Sequence, residues 1–427
     1  MGGGPAGAVT AIGLARLGRD VVLCEAKAFP RDHIGICLSA GVHKQLAFLN
    51  LGHVLHRPDH RHVLTVARRW TSEQFQSLTN QGSTIVNRGL FDSDLIEAAR
   101  VAGVRILQPA RVSKITRLDG DWQLSVQTLH GDQEMRANFV IEAGGRQSRV
   151  RQRVRSGPST LALCGRWRGR PIPGIRISAE PNGWIWAATL PSDSTVAIAF
   201  VEPKAWRRAP GMLEARYRNL VEAASVLDGD AQLTGPLELC DATPYVAAGE
   251  IEGLLRVGDA DVVLDPLSSS GVQAAIQSAL AATPIVNTLL TASLESAAAL
   301  EFWHARRQGR IAQNRRWTGE SYADAFARHP TDFWRRRAKT PSEAISQSSI
   351  SLLPQPEQMI ELNGAVHLAF EPCLTDRFIE RIECLTHAGL FEPVAFVDGV
   401  YLPPLLRRIG APRLARDVLA DTIRQMN

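Results

Sequence analysis

The sequence predicts an α/β protein: a discontinuous, Rossmann-like nucleotide-binding domain with an inserted β-sheet-rich domain, followed by a small C-terminal α/β domain. Three observations carry this. First, Gly2-Gly3-Gly4-Pro5-Ala6-Gly7 leads into an apolar helical stretch, Ala8 to Leu17, ended by Gly18. The buried-strand pattern Asp20 to Cys24 then carries Glu25, which completes most of a nucleotide-binding βαβ unit. Second, strands running into small-residue turns recur at Glu142-Ala143-Gly144-Gly145 and at Val257-Gly258-Asp259. Third, the stretch from about Leu161 to Tyr245 changes character to short β-like runs.

Taken in order, Phe91 to Ala102 reads as a helix, and Val104 to Leu107 and Val112 to Arg117 read as strands. Asp121 to Leu129 and Met135 to Ile141 alternate like a hairpin. The inserted segment holds strands Ile172 to Ile177, Gly183 to Leu190 and Thr195 to Val201, with a helix from Met212 to Ala224. Leu254 to Val257 returns to the nucleotide-binding pattern, and a helix runs from Gly271 to about Leu289. After Arg-rich helices, Pro341 to Glu357 reads as a linker. In the tail, Phe378 to His387 and Arg413 to Met426 read as helical and Val394 to Val397 as extended. The expected boundaries are 1–160 with 245–340 for the nucleotide domain, with part of 60–90 joining the inserted sheet. The inserted domain is 161–244, the linker 341–358 and the tail 359–427.

Composition bounds the function. A hydrophobic share of 45% with 21% charged residues is that of a globular protein and excludes disorder. The six cysteines are scattered, without a Cys-x-x-Cys pair or a His at ligand spacing, so neither a metal site nor a disulfide scaffold is expected. The net charge of +5 is carried by arginine, since Lys occurs only at 27, 44, 114, 204 and 339. Arg306, Arg307, Arg310, Arg315, Arg316 and Arg335 to Arg337 are interleaved with aromatics in the way a nucleic-acid groove would be. An amphipathic helix with inward aromatics and arginine stems lying on apolar surface explains them better, so no nucleic-acid partner is expected. No run of 18 apolar residues and no signal-like start are present, so no membrane association and a cytoplasmic location are expected.

The motifs carry the chemistry. A pyrophosphate must be approached closely by backbone N–H groups, which Gly2, Gly4 and Gly7 permit at a helix N-terminus. Glu25, about 20 residues on, is placed to accept hydrogen bonds from a ribose. In Gly258-Asp259, the carboxylate can bind the hydroxyls of a polyol chain. In Asp265-Pro266-Leu267-Ser268-Ser269-Ser270-Gly271-Val272, the helix start can stabilise negative charge on a reduced ring. Read singly, Asp259 could be a helix cap and Asp265-Pro266 a turn; the order and separation of the motifs favour a cofactor. The glycine loop should follow a buried strand, and only Met1 precedes it, so a start lying upstream of Met1 is expected.

On these residues the chain resembles, from residue 1 to about 340, the FAD-dependent monooxygenases of the aromatic-hydroxylase type and their relatives, the tryptophan halogenases and geranylgeranyl reductases. The resemblance implies an FAD-binding domain with Gly2, Gly4, Pro5, Ala6, Gly7, Glu25, Arg88, Val112, Gly144, Gly258, Asp259, Pro266, Gly271 and Val272 at the cofactor. Arg88 could equally form a surface salt bridge. Gly183-Trp184-Ile185-Trp186 to Pro191 is similar to the Trp-x-Trp-x-x-Pro segment of the halogenases. Halogenases also need a Lys in a strand corresponding to Val63 to Trp70, which holds none, so halogenation is disfavoured.

The Asp265 to Gly271 segment and Pro393 to Val400 are similar to flavoproteins of tryptophylquinone cofactor biogenesis, whose usual Gly-Glu-Ser is here Gly35-Ile36-Cys37. The resemblance implies that NAD(P)H, visiting transiently, reduces FAD. O₂ would then add at the flavin C4a position, and the hydroperoxide would transfer oxygen to an electron-rich aromatic ring. The expected substrate is a Trp in a polypeptide such as an amine dehydrogenase small subunit. Trp184, Trp186, Asp241, Thr243 and Tyr245 are the candidates for substrate packing and polarisation, each with a core-packing or turn reading beside it. A small-molecule aromatic hydroxylase, a flavin-dependent alkene reductase and a non-catalytic assembly factor stay open.

Overall fold

The structure is a computed structural model that describes residues 1–31, 37–148, 152–207, 212–291, 293–338, 355–361, 364–387, 390, 392–397, 399–409, 412–418 and 420. The chain divides into two compact units, 1–283 with 313–340 and 284–312 with 341–427. The expected α/β class holds throughout.

In the first unit the glycine loop enters helix Pro5–Arg16, with Gly4 at the N-cap and Pro5 in the first turn. Strand Val22–Cys24 pairs in parallel with Arg105–Leu107, and Val140–Glu142 pairs in parallel with Leu254–Arg256. Met1 and Gly2 join the two pairs. The Met1 amino group donates to Ile141 O at 2.8 Å, Ala143 N donates to Met1 O at 2.8 Å, and Gly2 N donates to Cys24 O at 2.8 Å. Two residues of backbone thus tie the glycine loop to strands on either side.

Helix Arg88–Val101 is capped by the Asn87 side chain, which accepts from Gly89 N and Leu90 N. Strands Ala110–Leu118, Asp121–Thr128 and Gly131–Ala137 form a meander. Its last strand stops at Ala137, short of the hairpin partner expected to run on to Ile141. The apolar run Val140-Ile141 leaves to pair in parallel, as continuous apolar runs do when both faces are buried.

The largest sheet has eight strands, in the order Gln232–Asp241, Leu161–Arg168, Thr195–Val201, Gly183–Thr189, Ile175–Glu180, His60–Arg69, Gln76–Val86 and Cys37–Leu38. The period of two along Gly183–Thr189 sorts side chains between its faces. Ile185 and Ala187 join Trp167, Tyr217 and Val221 of helix Leu213–Ala224. Trp184, Trp186 and Ala188 join Trp70, Leu267, Tyr322, Phe333 and Trp334 on the other face. Helix Gly271–Thr291 is by length and composition apolar enough to cross a membrane, but 61% of its most apolar 18-residue window is buried in protein, as in a core helix.

The second unit corrects two expectations. Phe378 to His387 is not helical: Ile379–Thr386 is a strand paired antiparallel with His367–Leu374. Phe378, Ile382 and Leu385 mimic helical spacing, but β-branched Ile379, Ile382 and Thr386 suit the ladder better. The expected last helix starts two residues late: Arg413–Leu414 is a strand paired with Met359–Ile360, and 415–418 and 420 are helical. The expected extended segment near Val394 is present as a bridge to Leu385 and strand Phe396–Val397. The end of the expected last helix (421–427), most of the linker (341–354) and Gly35-Ile36 lie outside the described residues.

Candidate functional site

The three glycines of the opening loop do different work. Gly2 has φ +100°, and a Cβ there would sit 2.4 Å from Ala143 O, so the turn is tight and pressed on the second motif. A Cβ on Gly7 would lie 1.9 Å from Gly2 O, so the helix can approach the loop only with glycine there. A Cβ on Gly4 would meet nothing nearer than the Arg31 guanidinium at 3.7 Å. The space over Gly4 is open, and the N–H groups of the first helical turn, before the Ala8 N to Gly4 O bond, face it without intrahelical acceptors. A tight turn, an open approach and a packed helix are the three roles a pyrophosphate loop requires.

Beside this loop lies a buried charge cluster. The Glu25 carboxylate accepts from Gly3 N at 2.7 Å, Lys27 N at 2.9 Å and Arg31 Nη1 at 3.3 Å. Arg31 also approaches Asp92 at 3.6 Å. Arg88 is 6% exposed and grips fully buried Asp92 through two bonds of 3.1 and 3.2 Å. It is therefore in a buried ion pair rather than a surface one. Neither Arg31 nor Asp92 is among the site residues the sequence predicts; the i,i+4 spacing of Arg88 and Asp92 is the signal it offers. Val112 packs in the apolar cluster with Met1, Cys24 and Val140, behind the loop.

The other two motifs close on the first. Gly144 N donates to Glu142 Oε1 at 2.7 Å, and Val257 N donates to Glu142 O at 3.0 Å. Gly258 has φ +59°, and a Cβ there would fall 2.8 Å from Ala6 Cβ and 3.5 Å from Ala275 Cβ. Gly258 thus wedges between the Pro5–Arg16 and Gly271–Thr291 helices, with its N–H donating to Ser278 Oγ at 2.8 Å. Asp259 stays partly exposed, paired with Arg146 at 3.4 Å.

Asp241 and Tyr245 meet this same edge through Arg146 and Asp259, while Ala242 beside them joins the cluster of Trp184 and Trp186. Asp241 Oδ1 accepts from Thr243 N, Thr243 Oγ1 accepts from Thr160 N, and the Tyr245 hydroxyl donates to Asp259 O at 2.7 Å. Arg146 donates to Asp241 O, and Arg153 lies over the Tyr245 ring. Burial pushes the Tyr245 phenol up to about 12, so it stays a donor. Tyr245 holds the turn that carries Asp259, Asp241 is joined to it through Arg146, and Thr243 is bonded to Thr160.

Pro266 lies in a single 3₁₀ turn capped by Asp265, and Ser269 takes the left-handed conformation at φ +50°. Asp265 Oδ1 accepts from Leu267 N at 3.0 Å and from the Tyr322 hydroxyl at 2.6 Å. A Cβ on Gly271 would meet nothing within 4 Å, so the helix start opens onto free space, with Val272 packed inward behind it. Trp184 is 2% exposed, stacked on Phe200 at 3.8 Å and edge-on to Trp70. Trp186 is buried on the same face, which Leu267 of the Asp265 loop also joins. Cys37, in place of the family's serine, is half-buried, and desolvation pushes its thiol up to about 12, which disfavours the thiolate.

Open space over Gly4, the Glu25 carboxylate beside the loop, a partly exposed Asp259 and an open helix start at Gly271 fit a dinucleotide with a ring at its far end. Fold and site together define a flavin-dependent oxidoreductase. Residues 1–162 match the FAD binding domain family. Over 369 residues the chain is 29% identical to a tryptophan 2-halogenase of Chondromyces crocatus, covering 78% of this chain and 69% of that protein. Among solved structures, the peptidyl tryptophan dihydroxylase QhpG, essential for tryptophylquinone cofactor biogenesis, is similar at TM-score 0.75 and 26% identity. That match covers 100% of this chain and 95% of QhpG. The flavin-dependent halogenase CmlS matches at TM-score 0.78 and 18% identity, over 100% and 91% of the two chains, and shows the shared fold. Residues 1–162 thus carry an FAD binding domain, and the chain as a whole is similar to FAD-dependent halogenases and to a peptidyl tryptophan dihydroxylase.

Proposed function

We propose that the chain is an FAD-dependent monooxygenase that hydroxylates a Trp side chain within a polypeptide. The observation that carries this is the likeness to the peptidyl tryptophan dihydroxylase along the whole chain, its second unit included. The strand His60–Arg69, which spans the position of the halogenase Lys, holds only arginines as cations, and this favours hydroxylation over halogenation.

When bound, FAD supplies the activation of O₂. Gly2, Gly4 and Gly7 with the first helical turn would hold its pyrophosphate, Glu25 its ribose, and Asp259 its polyol chain. The Asp265 to Gly271 segment would border its ring. The chain's own part in the reaction is placement and exclusion of water. Trp186, Val196, Ile198 and Leu267 share one buried apolar cluster beside the Asp265 loop, the side on which an indole would meet the ring, and Asp259 is kept in position by Arg146 and Tyr245. Overall, one aromatic C–H, O₂, NAD(P)H and a proton give C–OH, water and NAD(P)⁺. NAD(P)H as the donor and a polypeptide such as an amine dehydrogenase small subunit as the partner belong to this proposal, as does a cytoplasmic setting.

The test is incubation of the FAD-loaded protein with NADH or NADPH, O₂ and a Trp-containing polypeptide, read by tandem mass spectrometry. A gain of oxygen confined to Trp is expected. Halogen gained in the presence of chloride or bromide would instead favour the second reading, Trp halogenation, which the 29% identity to the tryptophan 2-halogenase recommends. Reductant oxidation that leaves Trp unmodified in both cases would sink the proposal.

A further inference from the structure

One buried polar link ties the wall of the eight-stranded sheet to the cofactor site. Gly258 leans on Ala275, one turn into the helix that Gly271 starts, so the Asp265 to Ser270 loop that precedes this helix borders the dinucleotide site. Asp265 is 8% exposed, and its Oδ1 takes the Tyr322 hydroxyl at 2.6 Å. Asn314, two turns before Tyr322 on the same helix, accepts from Asp265 N at 3.1 Å. Tyr322 is itself buried against Trp334 and beside the Trp184 indole N–H, which finds no well-aligned acceptor of its own.

We propose that Tyr322 is a positioning residue for the flavin: its hydroxyl locks the Asp265 loop to the aromatic wall, so that ring placement and wall packing are set together. This rests on the reading that FAD occupies the site where the three motifs meet. A polar bond in so dry a place is not needed for packing, since a Phe would fill the same volume. An unpaired buried carboxylate is costly, however, which makes Asp265 and Tyr322 dependent on one another.

The groups that face Asp265 are Tyr322 and the backbone N–H of Leu267, with the charge of buried Arg337 nearby. Arg337 is fixed on Ser159 O, Thr160 Oγ1 and Phe333 O. Burial raises the Asp265 carboxyl, while the Tyr322 bond, the Leu267 N–H and Arg337 pull it back down. Without the Tyr322 hydroxyl, the carboxyl keeps its proton to higher pH, and a protonated Asp265 can no longer serve as a purely accepting cap for the loop.

The experiment compares Tyr322→Phe with Tyr217→Phe. Tyr217 is equally buried, on the opposite face of the sheet, where its hydroxyl donates to Ala197 O at 2.8 Å and accepts from Trp167 Nε1 at 3.1 Å. Each variant loses one buried hydroxyl and a similar amount of thermal stability. Only Tyr322→Phe is expected to weaken FAD binding, by about tenfold, to shift the visible band of bound flavin, and to make that band depend on pH through the Asp265 carboxyl. Tyr322→Phe combined with Asp265→Asn is expected to lose the titration. If FAD affinity and flavin spectrum of Tyr322→Phe match those of Tyr217→Phe at every pH, or if the titration survives in the double variant, the inference is overturned. A wild-type protein that takes up no FAD overturns the flavin reading as well, which separates the two failures.

Discussion

The two loops that border the cofactor site are held in opposite ways. The Gly2 to Gly7 loop is held by backbone and by the absence of side chains: Cβ atoms on Gly2 or Gly7 would fall inside neighbouring backbone, and Met1 and Gly2 are bonded to strands on both sides. The Asp265 to Gly271 loop has no crowded glycine. It is held by side chains, with Asp265 gripped by Tyr322 and Ser268 bonded to Ser270 at 2.6 Å. A backbone-held loop suits a pyrophosphate, whose approach demands bare N–H groups. A side-chain-held loop can be tuned by protonation and by what packs on its anchor.

The sharpest way to break this contrast is at Gly7. In Gly7→Val, the added carbons collide with the Gly2 carbonyl, and the helix must move off the loop. Loss of detectable FAD binding and more than about 3 kcal/mol of stability is expected, read by flavin retention on gel filtration and by denaturant melts. A stable, yellow variant would show that the loop is not backbone-held. Next in size is Asp92→Ala, which strips a fully buried carboxylate from Arg88 and from nearby Arg31. A buried cation left without its partner costs about 3–5 kcal/mol, so the melting midpoint in urea should fall steeply. A variant as stable as wild type would mean that Arg88 is already solvated.

A smaller effect separates crowded from open glycines within the site. Gly4→Ala and Gly271→Ala both add a methyl to open space, so stability should stay within about 0.5 kcal/mol of wild type. The added methyls nevertheless stand where cofactor atoms must approach backbone, so FAD dissociation constants should rise by about tenfold or more. Unchanged FAD affinity in both variants would move the cofactor away from these surfaces.

How much of this was legible in the sequence follows from how each part is encoded. Gly2, Gly4, Gly7 and Glu25 are a local spacing, and the meeting of this loop with Gly144 and Gly258 could be read from strand-then-turn patterns. Arg31, Arg146 and Tyr322 could not. In a chain whose basic residues are almost all arginine, no single Arg stands out, and Tyr322 reaches Asp265 from a helix 57 residues on. Asp241, Thr243 and Tyr245 read in sequence as polar groups near a substrate, but Tyr245 and, through Arg146, Asp241 are tied to the Asp259 turn, a tertiary arrangement that composition does not encode. The Ile379–Thr386 strand is not legible in the sequence because helical spacing and β-branching compete in so short a run, and only its partner strand decides.

The smallest predicted effect concerns the side-chain-held loop directly. Burial holds the Asp265 carboxyl above its ordinary value in the folded chain. Between the unfolded value, about 3.9, and the raised folded one, the native state binds the proton more tightly than the unfolded state. Stability therefore falls as pH rises through that window and stays lower above it. Asp265→Asn keeps an oxygen for both Leu267 N and the Tyr322 hydroxyl, since both bond to Oδ1, and it removes the buried charge. Its melting temperature should match wild type below the window and exceed it at neutral pH by on the order of 2 °C, with the lost attraction to Arg337 holding the gain down. A melting temperature that falls below wild type at neutral pH would show that the loop needs the charge itself, and not only the oxygen, to be held.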